Sequence, residues 1–308
     1  MLNVVFLVVG FLCLIKGADW FVEGASKLAT RFGIPQLVIG LTIVAMGTSM
    51  PEAAVSIQAA AKGTAGIAVG NVLGSNIFNV WVILGITAVL AVLKLQKSTL
   101  IAEIPYMLFV TVVLMLLGMA GMNVSRLDGI VLWLLFFVYF GYLWWLTKQN
   151  KEENEVTEES WSVVRCIVFI LIGGVLVVFG SNMTVDGACG LAALAGISER
   201  VVGLTIVACG TSLPELVTSV MAARKNNADI AIGNIVGSNI FNILFVIGTA
   251  SLIAPIPFEP SFVVDAILAL AAGLLLWAGV ARKRELRRPC GILMLLCYVA
   301  YVVWLIMK

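Results

Sequence analysis

Residues 40–79 read GLTIVAMGTSMPEAAVSIQAAAKGTAGIAVGNVLGSNIFN, and residues 203–242 read GLTIVACGTSLPELVTSVMAARKNNADIAIGNIVGSNIFN. The two stretches align without a gap at a constant offset of 163, and 26 of the 40 pairs are identical. Self-similarity at a fixed offset marks a duplicated structural unit. Both copies are apolar except for two matched clusters, Gly-Thr-Ser-x-Pro-Glu and Gly-Asn-x-x-Gly-Ser-Asn-Ile-Phe-Asn.

The chain around them has the composition of a membrane protein. Of its 308 residues 61% are hydrophobic and 12% charged, with mean hydropathy +1.09, where a soluble chain carries about a quarter charged residues. Ten apolar stretches are each long enough for a helical span, which needs roughly 20 residues to cross the hydrocarbon. They cover 3–31, 35–61, 66–92, 99–119, 125–147, 161–194, 199–224, 228–254, 262–280 and 289–307. The offset of 163 therefore repeats a five-span unit. Because five is odd, the second copy enters the bilayer in the opposite sense, the inverted-repeat arrangement of many secondary transporters, whose sites lie at the repeat interface near the midplane. The expected fold is an all-α integral membrane protein of ten transmembrane helices in two inverted five-helix repeats, with helices 2 and 7 broken. The first repeat occupies 1–147 and the second 161–308, joined by the acidic linker 148–160. Spans 4–5 and 9–10 have diverged while spans 2–3 and 7–8 remain near-copies, so packing alone does not account for the matched polar residues.

A net charge of +2 without a basic tract leaves no electrostatic footprint for nucleic acid. The six cysteines lie scattered in apolar stretches without metal-ligand spacing, and His is absent. Loops after odd-numbered spans carry fourteen of the nineteen Lys and Arg residues. The positive-inside rule then puts both termini outside the cell (inner) membrane and the linker in the cytoplasm. The apolar N-terminal stretch lacks a cleavage-like ending and reads as a span, not a removable signal. The bilayer and the ions are the expected partners, with no obligatory protein partner evident.

Gly47, Thr48, Ser49, Pro51 and Glu52 recur as Gly210, Thr211, Ser212, Pro214 and Glu215. Proline lacks a donor and clashes with the carbonyl four residues back, so Pro51 frees the C=O of Gly47 and Pro214 that of Gly210, breaking each helix. One residue past each break stands a carboxylate, whose uncompensated burial in mid-membrane costs at least ~2.5–3.5 kcal/mol. Asn71, Ser75 and Asn79, at i, i+4 and i+8, form a polar stripe able to face the break, with Ser238 and Asn242 as counterparts in the second copy. Oxygen-only donors without Cys or His select hard cations, and flexible mixed oxygens suit Ca²⁺ and Na⁺ better than Mg²⁺. Two carboxylates neutralise one Ca²⁺. Three Na⁺ would exceed them by one charge, making exchange at that ratio electrogenic, worth ~2.3 kcal/mol per charge per 100 mV.

Residues 47–52 with 70–79, repeated at 210–215 with 233–242, resemble the two α-repeats of the sodium/calcium exchangers in the calcium/cation antiporter superfamily, and the likeness spans the chain. The resemblance implies Na⁺/Ca²⁺ antiport by alternating access, with the ions as cargo and no cofactor. It implies that Glu52 and Glu215 are central ligands shared by both ions, with main-chain oxygens of Thr48 and Thr211 on Ca²⁺. Flanking Na⁺ sites would draw on Ala45, Ser49 and Ser75, and on Ala208, Ser212 and Ser238. Asn79 and Asn242 would complete the centre, and spans 1 and 6 would slide as the gate. The amide of Asn242, where the potassium-dependent branch carries Asp, disfavours K⁺ co-transport. The short linker leaves no room for the cytosolic regulatory region of animal exchangers. Gly-Thr-Ser-x-Pro-Glu also departs from the Gly-Asn-Ala-x-Glu of the proton-driven branch, favouring Na⁺ as driver.

Two other readings remain at this level: a proton-driven Ca²⁺ antiporter in which the same glutamates titrate, and a passive cation channel. An enzyme is disfavoured because no nucleophile–base pair is visible and no catalytic residue can be assigned. Lys16, Asp19 and Glu23 read as a local structural cluster in span 1. Glu103, Asp128, Glu199, Asp229, Glu259, Asp265 and Glu285 fall near span ends, where contact with water is expected.

Overall fold

The computed structural model describes residues 2–149, 161–194 and 210–307. Within them the helices are α1 Leu2–Phe32, α2 Gln36–Thr48, α3 Met50–Ala61, α4 Gly66–Leu90, α5 Thr99–Gly121, α6 Arg126–Gln149, α7 Val163–Leu194, α8 Leu213–Arg224, α9 Ala228–Ile253, α10 Pro260–Ala281 and α11 Arg288–Met307. Eight of these are long and apolar enough to cross a bilayer, and α2 with α3 makes a ninth, bent by 50° at Ser49. α8 is the second half of the expected span 199–224. Positions 199–209, with Ala208 and Glu199, lie outside the described residues, as do 150–160 of the linker.

Burial separates a centre from a lipid-facing shell. α9 is 94% buried and α4 83%, whereas the other long spans range from 11% to 33%. The shell exposes large apolar side chains such as Leu127, Phe137, Leu171 and Val175, the surface a bilayer requires. Matched polar stretches thus form the two innermost helices, and the diverged spans wrap them.

α1 and α7 pack antiparallel along their lengths through glycines at seven-residue intervals. A Cβ on Gly17 would stand 2.8 Å from Leu176 Cβ, one on Gly173 2.6 Å from the Phe21 nitrogen, and one on Gly180 2.6 Å from the Leu14 nitrogen. Small residues allow such backbone approach, and dispersion then holds the pair where lipid supplies no hydrophobic drive.

Among the described residues, four two-residue strands qualify the all-α expectation. β1 Leu93–Lys94 pairs antiparallel with β4 Glu285–Leu286, and β2 Asn123–Val124 with β3 Ile256–Pro257. Each ribbon ties a loop of the first half to one of the second, and two residues are too few for a period-2 signal.

The charges of α1 also reach further than expected. Lys16 pairs with Asp19 at 3.3 Å, but Lys225, beyond α8, approaches Asp19 Oδ1 at 2.7 Å and Glu23 Oε2 at 3.3 Å. The cluster therefore docks α1 onto the second half. Glu103 departs from the expected contact with water: it is fully buried. The π-helical turn Thr99–Glu103 turns its carboxylate inward, where the Tyr142 hydroxyl of α6 donates to it.

Candidate functional site

The bend after α2 leaves Ser49 outside helical geometry, at φ −84° and ψ 9°, and Ser212 repeats this at −90° and 4°. Pro51 and Pro214 then stand in the first turn of α3 and α8, where a missing N–H costs nothing. Glu52 and Glu215 follow in the same first turns, where a helix N-terminus favours negative charge. Both carboxylates are fully buried.

The freed carbonyl expected at Gly210 is found in use: it accepts a 2.8 Å hydrogen bond from Ser181 Oγ of α7. At Gly47 the neighbour is apolar, since a Cβ there would meet Phe21 Cζ of α1 at 2.7 Å, while one at Gly210 would meet Val185 Cγ2 of α7 at 2.4 Å. Each break therefore sits directly against α1 or α7.

Hydrogen bonds knit the two copies across the centre. Ser49 Oγ donates to Glu215 Oε1 at 2.8 Å, and its repeat mate Ser212 Oγ donates to Glu52 Oε1 at 3.3 Å. Ser75 Oγ also donates to Glu52 Oε1 at 3.3 Å and lies 3.1 Å from Ser212 Oγ. Asn71 Nδ2 donates to the Glu52 carbonyl and to Ser56 Oγ, and Asn234 Nδ2 likewise to the Glu215 carbonyl and Ser219 Oγ. The stripe read from the sequence faces the break as expected. Equivalence is not complete, because Ser238 Oγ donates to the Ala45 carbonyl at 3.3 Å, whereas its mate Ser75 reaches a carboxylate. Thr48 Oγ1 donates to Asn234 Oδ1 at 2.9 Å and is buried; Thr211 is half-buried.

Asn79 and Asn242 each open a π-helical turn, Asn79–Leu84 and Asn242–Ile247. Such turns recur at functional sites because they interrupt the regular ladder. Asn79 Nδ2 donates to Asn239 Oδ1 at 2.9 Å, and Asn242 Nδ2 to Asn76 Oδ1 at 3.2 Å. Asn76 and Asn239 lock α4 to α9 by giving their amides to each other's carbonyls, at 3.1 and 3.2 Å. Sequence reasoning placed these two in the motif but gave them no role. Their signal was duplication in register one step off the polar stripe.

After this accounting, four buried oxygens lack a partner in matched pairs: Glu52 Oε2 with Glu215 Oε2, and Asn79 Oδ1 with Asn242 Oδ1. The hydroxyls of Ser49, Ser75 and Ser212 are spent on the Oε1 atoms of the two glutamates. None of the ion pairs formed among the described residues involves either glutamate. These four oxygens are acceptors, two of them carboxylate, in a buried interior.

A family profile described as sodium/calcium exchanger protein matches residues 2–145 and 166–307. The chain belongs to the sodium/calcium exchanger family. Among its exchanger relatives, MaX1 of Methanosarcina acetivorans, named a sodium/calcium exchanger, is 36% identical over 98% of this chain and 97% of its own. The inner membrane protein YrbG of Escherichia coli is 37% identical over 98% and 95%. The sodium-calcium exchanger NCX_Mj, solved after soaking with Na⁺ and no Ca²⁺, superposes with a TM-score of 0.86 at 34% identity, covering 98% of both chains. The exchanger fold thus accounts for nearly all of the chain, and the duplicated clusters lie at its centre.

Proposed function

We propose that this protein is a secondary antiporter exchanging Na⁺ for Ca²⁺ by alternating access, through one site built from both repeats. The observation that carries this reading is the matched set of partnerless buried oxygens on Glu52, Glu215, Asn79 and Asn242. A divalent cation among them neutralises both carboxylates, and oxygen-only coordination is what Ca²⁺ accepts. Thr48 and Thr211 offer main-chain oxygens on Ca²⁺. Ala45, Ser49 and Ser75 on one side, and Ala208, Ser212 and Ser238 on the other, offer the neutral oxygens of the Na⁺ positions. The names of MaX1 and NCX_Mj support the pair of ions.

The architecture of this reading is ten spans in two inverted halves, 1–147 and 161–308, with the second break at Gly210 and Pro214 mirroring Gly47 and Pro51. Both termini are outside, and the linker 148–160 is cytoplasmic. α1 and α7, glycine-packed and seated on both breaks, slide as one unit to expose the site to either side. Such motion needs differential affinity of the cations for the two states.

The test is ⁴⁵Ca²⁺ uptake into proteoliposomes loaded with Na⁺ and diluted into Na⁺-free buffer, compared with a matched pH gradient and with Glu215→Gln. Uptake that requires internal Na⁺, ignores the pH gradient and disappears in the variant is the expected result. Uptake that follows the pH gradient regardless of Na⁺ would assign the glutamates to proton transport instead. Uptake that needs no counter-ion would point to a channel.

A further inference from the structure

The offset of 163 extends into α1 and α7, where Gly17, Val22, Gly24 and Ala25 recur as Gly180, Val185, Gly187 and Ala188. The contacts of these two helices nevertheless differ. Lys225, at the end of α8, holds α1 at three points: Asp19 Oδ1 at 2.7 Å, the Asp19 carbonyl at 3.0 Å and Glu23 Oε2 at 3.3 Å. Beside them Leu213, Val217 and Met221 of α8 pack against Leu14 and Ala18 of α1 and Val177 of α7. The corresponding positions of the other copy are Lys62 at the end of α3, Asn182 and Asp186 of α7, and the α3 face Met50, Ala54 and Gln58. All of these side chains are exposed. α3 makes no packing with α7 comparable to that of α8 with α1, and no ion pair among the described residues involves Lys62 or Asp186.

We propose that Lys225 with Asp19 and Glu23 is a latch that closes one face of the protein, and that Lys62 with Asp186 is its counterpart, made when the first is released. The inference rests on the antiport reading and adds to it the residues that set the balance between its two states. Two copies of one unit set in opposite senses can exchange conformations. Exchange here carries α7 onto α3 as α1 now lies on α8, and brings Lys62 to Asp186 as Lys225 now meets Glu23. With both termini outside, the first latch closes the cytoplasmic face and the second the outer one. The two are unequal, because Asn182 stands where α1 has Asp19, so Lys62 finds one carboxylate and Lys225 finds two. Partly exposed ion pairs are individually weak, which suits contacts that break in every cycle, and a small differential free energy suffices to shift a two-state equilibrium.

The experiment uses the full-length protein in lipid nanodiscs, with the native cysteines replaced and a single reporter cysteine labelled by a maleimide. Met221→Cys is covered by α1 while the first latch holds and reports the opposite state; Gln58→Cys, its repeat mate, reports the present one. The Met221→Cys labelling rate should rise roughly two- to fivefold with Lys225→Ala and fall roughly twofold with Lys62→Ala. Lys225→Arg, which keeps the charge, should retain the rate of the parent. Opposite signs for the two lysines distinguish a latch from a general loosening of the fold, which would raise labelling in both. If the two reporters change reciprocally as Na⁺ and Ca²⁺ are varied but ignore the lysine substitutions, or if both substitutions move Met221→Cys in the same direction, the latch is overturned and the antiport reading stands. Reporters that never change reciprocally would overturn alternating access and the latch with it.

Discussion

At the scale of single residues, the proposed site implies that the two central glutamates cost the fold stability and contribute it only with a cation between them. Glu52→Gln or Glu215→Gln keeps side-chain size but removes one buried charge. In cation-free buffer each variant should therefore unfold at a Tm equal to or above wild type. In saturating Ca²⁺ it should lack the ligand stabilisation, about 2.7 kcal/mol at a concentration a hundredfold above Kd. Thermal unfolding with and without Ca²⁺ checks this; a variant that lost stability in both conditions would show that the carboxylates are structural. Asn76 and Asn239 make a different case, since each donates to the other's carbonyl. Asn76→Leu or Asn239→Leu should each cost about 1–2 kcal/mol. The double variant should cost close to their sum, because each acceptor is a main-chain carbonyl that survives the other substitution, so each change removes its own bond.

At the scale of elements, the proposed alternating access would depend on the pair α1 and α7. Gly173→Leu would place side-chain atoms where the Phe21 nitrogen already stands 2.6 Å from a Cβ. The helices must then separate, lowering Tm by several degrees and reducing exchange more steeply than Ca²⁺ binding, as uptake beside equilibrium binding would show. Span limits, the break at Ser49 and the inward stripe of α4 were legible in the sequence because each rests on a local signal: apolar length, proline chemistry and helical spacing. The π turns at Asn79 and Asn242 were not legible, since their one-residue insertion leaves hydropathy unchanged. The ribbons β1–β4 and β2–β3 were too short for periodicity. The inward turn of Glu103 and the reach of Lys225 to Asp19 depended on neighbours distant in sequence, so position near a span end misjudged the former. Of the candidate site, the two glutamates, the breaks beside them and the Asn71–Ser75 face of α4 were legible, because duplication marked residues that packing did not require.

At the scale of the whole molecule, the proposed five spans per repeat would set the two halves in opposite senses. Single cysteines introduced in the second half at Lys225, the repeat mate of Lys62, and at Arg288, beside the repeat mate of Arg126, should react with an impermeant maleimide only from the cytoplasmic side. Cysteines at Lys62 and Arg126 should react only from outside, in a background with the six native cysteines replaced. Labelling of all four from one side would exclude the inverted arrangement. The same geometry makes the centre a site neither half can form alone, since Ser49 of the first donates to Glu215 of the second and Ser212 to Glu52. On the proposed antiport, Ca²⁺ and Na⁺ would compete for it. The most direct measurement is equilibrium ⁴⁵Ca²⁺ binding to the purified protein across a Na⁺ titration, with Glu52→Gln and Glu215→Gln alongside. One Ca²⁺ per chain, displaced competitively by Na⁺ and lost equally in both variants, is the predicted result. Ca²⁺ binding indifferent to Na⁺, or retained when either glutamate is replaced, would contradict a single shared site.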